Sequence, residues 1–567
     1  MAKTSDFNEE RCDTLVASAI EGLRPTRLNI DSELPTALST LNQWMSECGK
    51  AAEKPQEISP VALELLKAVA TPQQLEHLND ERFSSRDGIH VRDCLLAKKV
   101  TEFATASADN SLDRVVDLFE YVTRNVDLYQ PSEKSPPTTM FTAFFFGQGT
   151  PQDRALIFAS LLRQLGIDAV ILRPRTAETA DEKAAERQWL VGVLLDGAVY
   201  LFDMRLGTPI PSAADTGKTV TVRKPATLAE VQQNDALLRA LDLPGGRTYP
   251  LRAENLAALR VEIIGSTSLW SPRLERLQSV LVGDRYLIVY DPLEDHGKNP
   301  GLLRRVVEAG TGHWQQSDVA VWPYPELALQ RFEKRTLDQQ MAYEFKQRPF
   351  QAPITFVFDG AGGVVLDANT RTARMGQAKA EHHRARVNQL VGNYDAAIHR
   401  YTEARIDERF PPGIAVYAEH RLAHESAADN STFWNAVCLM EQDQSGAAVV
   451  GFRNYLRRHQ KAPEKGPWVG FCRGLLALGL AKSGNYEGAV SELTPLPATD
   501  PKKDGYDFFA QRWKKLQSLK PEKSTDEKTV GDAPSQTQQS PAPPTGASPA
   551  TQKATEQPDA ESPKKNP

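Results

Sequence analysis

Between Ser111 and Pro131 the apolar residues Leu112, Val115, Val116, Phe119, Val122 and Val126 return at three- and four-residue steps. This predicts an amphipathic helix capped by Ser111. Thr150-Pro151-Gln152-Asp153 has the form of a second helix start. The threonine caps, the proline occupies the first turn where its missing N–H costs nothing, and Asp153 closes a capping box. Ala155, Phe158, Ala159 and Leu162 make one face of that helix, Leu156 and Leu161 widen it, and Gly166 ends it before the strand-like Asp168–Leu172. Two apolar runs then flank Asp196-Gly197, a pair that favours a two-residue hairpin turn. Such a turn places Asp203 opposite Leu190, with Gln188 on the same face of the pleat.

The pattern changes on either side. Residues 1–110 show short amphipathic stretches broken by Pro, Asp and Ser, which predict a helical lead-in. From about 224 to 367 strand-like runs ("LRVEIIG", "RYLIVYDP") flank a helical one ("SPRLERLQSVLVG"), and "ITFVFDGAGGVVLDA" predicts a further hairpin. From 376 to 519 helical periodicity returns, and three segments superpose on Ala397, Ala448 and Ala489, each early in a helix and behind a turn. These resemble the second helices of tetratricopeptide repeats, although the steps between them exceed the usual ~34 residues. From Pro521 the chain is Pro, Ser, Thr, Gln, Lys and Glu with almost no large apolar residue, and a disordered tail is expected.

A chain of 567 residues exceeds one hydrophobic core, so several units are expected. The net charge of -6 provides no basic field for displacing counterions from phosphates, so no nucleic-acid partner is expected. Cys12, Cys48, Cys94, Cys438 and Cys472 are widely spread and contain no C-x-x-C pair, which fits a reducing compartment without a disulfide framework. No window reaches the roughly 18 apolar residues of a membrane span, and the first residues lack a signal-peptide core. A cytoplasmic location is the default expectation, with the cell envelope or periplasm as the alternative. His420 and His424 are one helical turn apart but lack an identifiable third ligand, and "DGAGGVV" is followed by no helix, so neither a metal nor a cofactor is expected. His382-His383 read as part of a solvated helix face.

The stretch "ALIFASLLRQLGIDA" resembles the helix that opens on a nucleophilic cysteine in the transglutaminase-like superfamily, a papain-like fold. The resemblance runs from about Ser111 to Pro211 and implies a Cys–His–Asp triad. Counting back four residues from Ala155 puts the nucleophile position at Pro151. Counting back two from Trp189 puts the base at Arg187, whereas the pleat puts it at Gln188. Asp203 fits the third position. The chemistry requires a thiolate at a helix N-terminus and an imidazole beside it, yet the chain has no Cys from 95 to 437 and no His from 91 to 295. Thr150 has a hydroxyl that its cap accounts for, and Trp189 fills either the core or the cleft.

The sequence therefore predicts an α+β multidomain protein, a papain-like transglutaminase-like domain with α-helical tetratricopeptide-like repeats. The expected regions are a helical N-terminal region (1–110), the transglutaminase-like domain (111–215), a small α+β domain (216–375), the repeats (376–519) and the tail (520–567). The expected function is a non-catalytic scaffold that holds a protein or peptide through the repeats and the cleft. The alternative is an acyltransferase or cysteine-type protease with an atypical nucleophile, for which Cys94 is the remote thiol.

Overall fold

The computed structural model describes residues 2–519 apart from 26–29, 50–57, 176–187, 297–298, 351–355, 359–363, 367–373, 406–417 and 464–465. The tail expected to be disordered lies outside the described residues, and residues up to Lys520 form a compact unit.

Among the described residues eight helices precede the main sheet: α1 (Ala2–Gly22), α2 (Ile30–Glu47), α3 (Pro60–Lys67), α4 (Pro72–Glu76), α5 (Ser85–Ala104), α6 (Ser111–Asn125), α7 (Met140–Phe146) and α8 (Pro151–Arg163). The α6 cap is Asn110 and not Ser111, because the Asn110 side chain is the one that accepts from the Asp113 N–H. The short strands β1 (Asp127–Leu128) and β2 (Gln148–Gly149) pair in parallel just before α8.

The sheet contains β3 (Asp168–Pro174), β4 (Leu190–Leu195), β5 (Ala198–Asp203), β6 (Thr208–Pro209), β7 (Leu259–Ile263) and β8 (Val319–Val321). Their order is β6-β5-β4-β3-β7-β8, antiparallel except for β7 with β8. The β4–β5 register pairs Leu195 with Ala198, as the Asp196-Gly197 turn requires. Alternate residues serve two cores. Ile171, Val191 and Phe202 face α6 and α8, whereas Val170, Leu172, Leu190 and Leu201 face the opposite cluster. Covering both faces explains why these strands read as unbroken apolar runs. Phe119, Phe158 and Phe202 join α6, α8 and β5, with ring centroids 5.1 to 5.6 Å apart.

Several expectations are corrected. Strands β7 and β8 extend the sheet of β3–β5, so the boundary expected at 215 cuts through one sheet. The boundary at 110 separates α5 from the core it packs into through Leu96, Ala97 and Val100. The segment 286–291 is extended but is not a sheet strand. Its Leu287 and Val289 point inward, which gives the two-residue period, while side chains satisfy its backbone. Gln164 bonds both the N–H and the carbonyl of Ile288, Gln278 accepts from the Val289 and Tyr290 N–H groups, and His90 meets the Val289 carbonyl. A disulfide joins Cys12 and Cys48, against the expectation of a chain without a disulfide framework, because the α1–α2 hairpin brings their Cα atoms to 5.9 Å.

The C-terminal part is three successive helical hairpins closed by the helix Lys503–Leu519. The second helices, Tyr394–Arg405, Ser445–Arg458 and Tyr486–Leu493, carry Ala397, Ala448 and Ala489 at their fourth positions, all fully buried. Two residues before each helix the backbone turns through positive φ at Gly392, Asp443 and Gly484. We expect Ala448→Leu to overpack this seam and lower stability by about 1–3 kcal/mol in a denaturant melt. A neutral result would place the alanine outside a close helix contact.

The first hairpin docks on α7. Arg386, fully buried, donates to the Phe144 and Phe145 carbonyls at the end of α7 and lies 3.7 Å over the Trp434 ring. Gly147, which ends α7 at φ 70°, leaves no room for a side chain: a Cβ there would stand 2.4 Å from Trp434. His382 and His383 lie on the docked face and are buried, which corrects their reading as a solvated pair. Their polar sequence neighbours concealed a face that covers Phe350 and Phe145.

Candidate functional site

The turn from α7 through Gly147 and β2 delivers the chain to the N-terminus of α8. Thr150 is the N-cap and Pro151 the first helical residue, as the sequence predicts. The Asp153 N–H bonds the Thr150 hydroxyl oxygen at 3.2 Å, and the Asp153 carboxylate accepts from the Thr150 N–H at 2.8 Å. That carboxylate is wholly buried and also accepts from the hydroxyls of Thr150, Thr138 and Tyr324, each at 2.9 Å. Burial pushes its pKa up and these donors draw it back. The Thr150 hydroxyl is further shared with Tyr324 at 3.2 Å.

Around this cap stand groups that carry no local signature in the chain. Tyr324 stacks on Trp322, which lies 6.5 Å from Trp189, so Trp189 belongs to the core and is also part of the aromatic wall leading to the cap. Lys346 Nζ donates to the Gln148 side chain at 3.1 Å and sits 4.9 Å over the Tyr129 ring. Burial lowers its pKa to about 8. These residues lie up to about two hundred positions from Thr150, and only the fold brings them together.

The remaining expected positions divide. Arg187 lies outside the described residues, and Gln188 is half-buried just before β4. Asp203 is buried at the end of β5, where it accepts from the Arg205 and Leu206 N–H groups at 2.8 Å and from the Tyr249 hydroxyl at 2.7 Å. The two N–H bonds are the chemistry of the turn that follows β5.

Cys94, the remote thiol, has an imidazole beside it: Sγ is 3.6 Å from His90 Nε2 on the same helix, α5. Activation of a thiol requires transfer of its proton to such a nitrogen. Here Nε2 already meets the Val289 carbonyl at 2.8 Å, so it carries the proton and has no lone pair for the thiol. Burial raises the thiol to about 12 and lowers the imidazole to about 4. Both shifts favour the neutral pair over thiolate–imidazolium.

No curated protein and no solved structure matches the chain. Residues 97–199 match the family model of the transglutaminase-like superfamily. The match begins inside α5, includes Pro151, Gln188 and Trp189 and ends on β5 four residues before Asp203. The chain thus carries a transglutaminase-like domain over those residues.

Proposed function

We propose that the transglutaminase-like domain is non-catalytic and that the protein is a scaffold whose tetratricopeptide-like hairpins and cleft hold a protein or peptide partner. The observation that carries this reading is the start of α8. A proline without a nucleophilic atom stands where the thiol belongs, and the adjacent hydroxyl and carboxylate are consumed by the helix cap. The neutral Cys94–His90 pair supports the same reading. Stacked helical hairpins suit peptide recognition because they bury their faces on one another and present a continuous outer surface.

The Cys12–Cys48 disulfide favours the envelope over the cytoplasm as the working compartment. Among the described residues no helix is long and apolar enough to cross a membrane.

Thiol labelling tests the proposal. Native protein treated with iodoacetamide at pH 7.5 is expected to give no adduct at Cys94 over an hour, and to give adducts at Cys94, Cys438 and Cys472 only once unfolded. Rapid stoichiometric labelling of native Cys94 would restore the enzyme reading.

A further inference from the structure

A cavity of about 640 Å³ opens between the end of α8, the start of β3, the helix Pro272–Val280 with the turn after it, and the extended segment 286–291. That volume falls in the range of small-molecule sites. The extended segment supplies an apolar wall. Its Leu287 and Val289 point into the core, so Tyr286, Ile288 and Tyr290 alternate onto the side that lines the cavity. Leu281 and Val282 continue the wall, and Val282 and Tyr286 are exposed.

Charges of both signs reach the cavity, and they are unevenly matched. Glu275 meets His296 at 3.2 Å. Arg305 forks onto Asp168 at 2.7 and 2.9 Å and gives Asp291 a single bond at 2.8 Å. One cation therefore serves two carboxylates, and that end of the cavity keeps a net negative charge. Among the described residues Arg305 alone donates to the Asp291 carboxylate, through Oδ2, which leaves Oδ1 without a protein donor. Burial pushes the Asp291 carboxyl above its ordinary value although Arg305 and Arg163 draw it down, so its charge is under-compensated. Arg163 has the opposite need. Half-buried at the end of α8, it donates to the Ile264 carbonyl and meets no carboxylate at ion-pair distance among the described residues. It is near enough to lower the Asp291 pKa, yet the two charges are not in contact. A cation and a carboxylate that line one cavity without touching leave room for a ligand that carries both opposite charges and gives each a charge-assisted bond.

We propose that this cavity binds an α-amino acid with an apolar or aromatic side chain. The ligand carboxylate accepts from Arg163, the ligand ammonium donates to Asp291 Oδ1, and the side chain packs on Val282, Tyr286 and Ile288. An α-amino acid holds its two charges on one carbon, which suits two protein charges that are coupled but apart. A singly charged ligand satisfies one of them and desolvates the other without return. The inference does not depend on whether the transglutaminase-like domain is catalytic.

The test is a calorimetric titration of the full-length protein with L-phenylalanine and, separately, with phenethylamine, which lacks the carboxylate, and 3-phenylpropionate, which lacks the ammonium. We expect saturable one-site binding of phenylalanine, with each analogue weaker by at least about tenfold, because each forgoes a charge-assisted bond. Arg163→Gln should bring phenylalanine down to the affinity of phenethylamine, and Asp291→Asn down to that of 3-phenylpropionate. Ser279→Trp, which fills the cavity from its edge, should abolish saturable binding. Each variant is checked by an unchanged thermal midpoint. Absence of saturable phenylalanine binding, equal affinity for either singly charged analogue on the unsubstituted protein, or parental affinity in a folded Arg163→Gln or Ser279→Trp would each overturn the assignment.

Discussion

Replacing Asp153 by alanine is expected to destabilise the protein by about 3–5 kcal/mol, because the substitution strands several buried donors at once. The Tyr324 and Thr138 hydroxyls and the Thr150 N–H all lose the carboxylate that satisfies them, and α8 loses half of its capping box. Asp153→Asn keeps an acceptor and the shape of the site, so its loss should be nearer 1–2 kcal/mol. Urea melts monitored by circular dichroism distinguish the two, with the slope unchanged if the native fold persists. The comparison also bears on function: a near-neutral Asp153→Ala would mean that the carboxylate is not committed to the cap and is available for chemistry.

Acid is expected to destabilise the protein through the docked histidines. Unfolded imidazole protonates near 6.5, whereas burial lowers His382 to about 3 and His383 to about 4, with the nearby guanidiniums of Arg386 and Arg384 acting in the same direction. Between those values the unfolded chain binds more protons than the folded one. The contribution is therefore complete above pH 7 and is lost as pH falls, by about 2 kcal/mol per histidine between pH 7 and pH 5. Half-buried carboxyls such as Asp117 and Asp291, whose pKa values are raised, act in the opposite sense, so a comparison of variants isolates the effect. His382→Gln combined with His383→Gln should lower stability at pH 7 yet lose about 4 kcal/mol less than the parent on going to pH 5. Parallel pH profiles for the two proteins would show that the histidines do not titrate on unfolding in this range.

Features written in a few adjacent residues could be read from the chain. The α8 start, the Asp196-Gly197 turn and the three buried alanines depend on capping, turn and periodicity signals contained within about a dozen positions. What escaped depends on distant partners. The 286–291 segment has the alternation of a strand, but glutamine side chains from 164 and 278 take the place of its neighbour. His382 and His383 look solvated until α7 and Phe350 are packed over them. The site divided in the same way: the capping signal puts Thr150 and Pro151 at the start of α8, whereas Tyr324, Thr138 and Lys346 meet there only through the fold. Asp203 ends β5, and its bonds go to its own turn and to Tyr249.

The most direct test of the central claim is an acyl-transfer and peptide-hydrolysis assay on the purified, unmodified protein, using a glutamine-containing peptide with a fluorescent primary amine. The account predicts no amine incorporation and no cleavage above the buffer rate, and the same null result for Pro151→Cys, which returns a thiol without its base. Turnover by the unmodified protein that disappears in Thr150→Ala or in Cys94→Ser would contradict the account and identify the nucleophile.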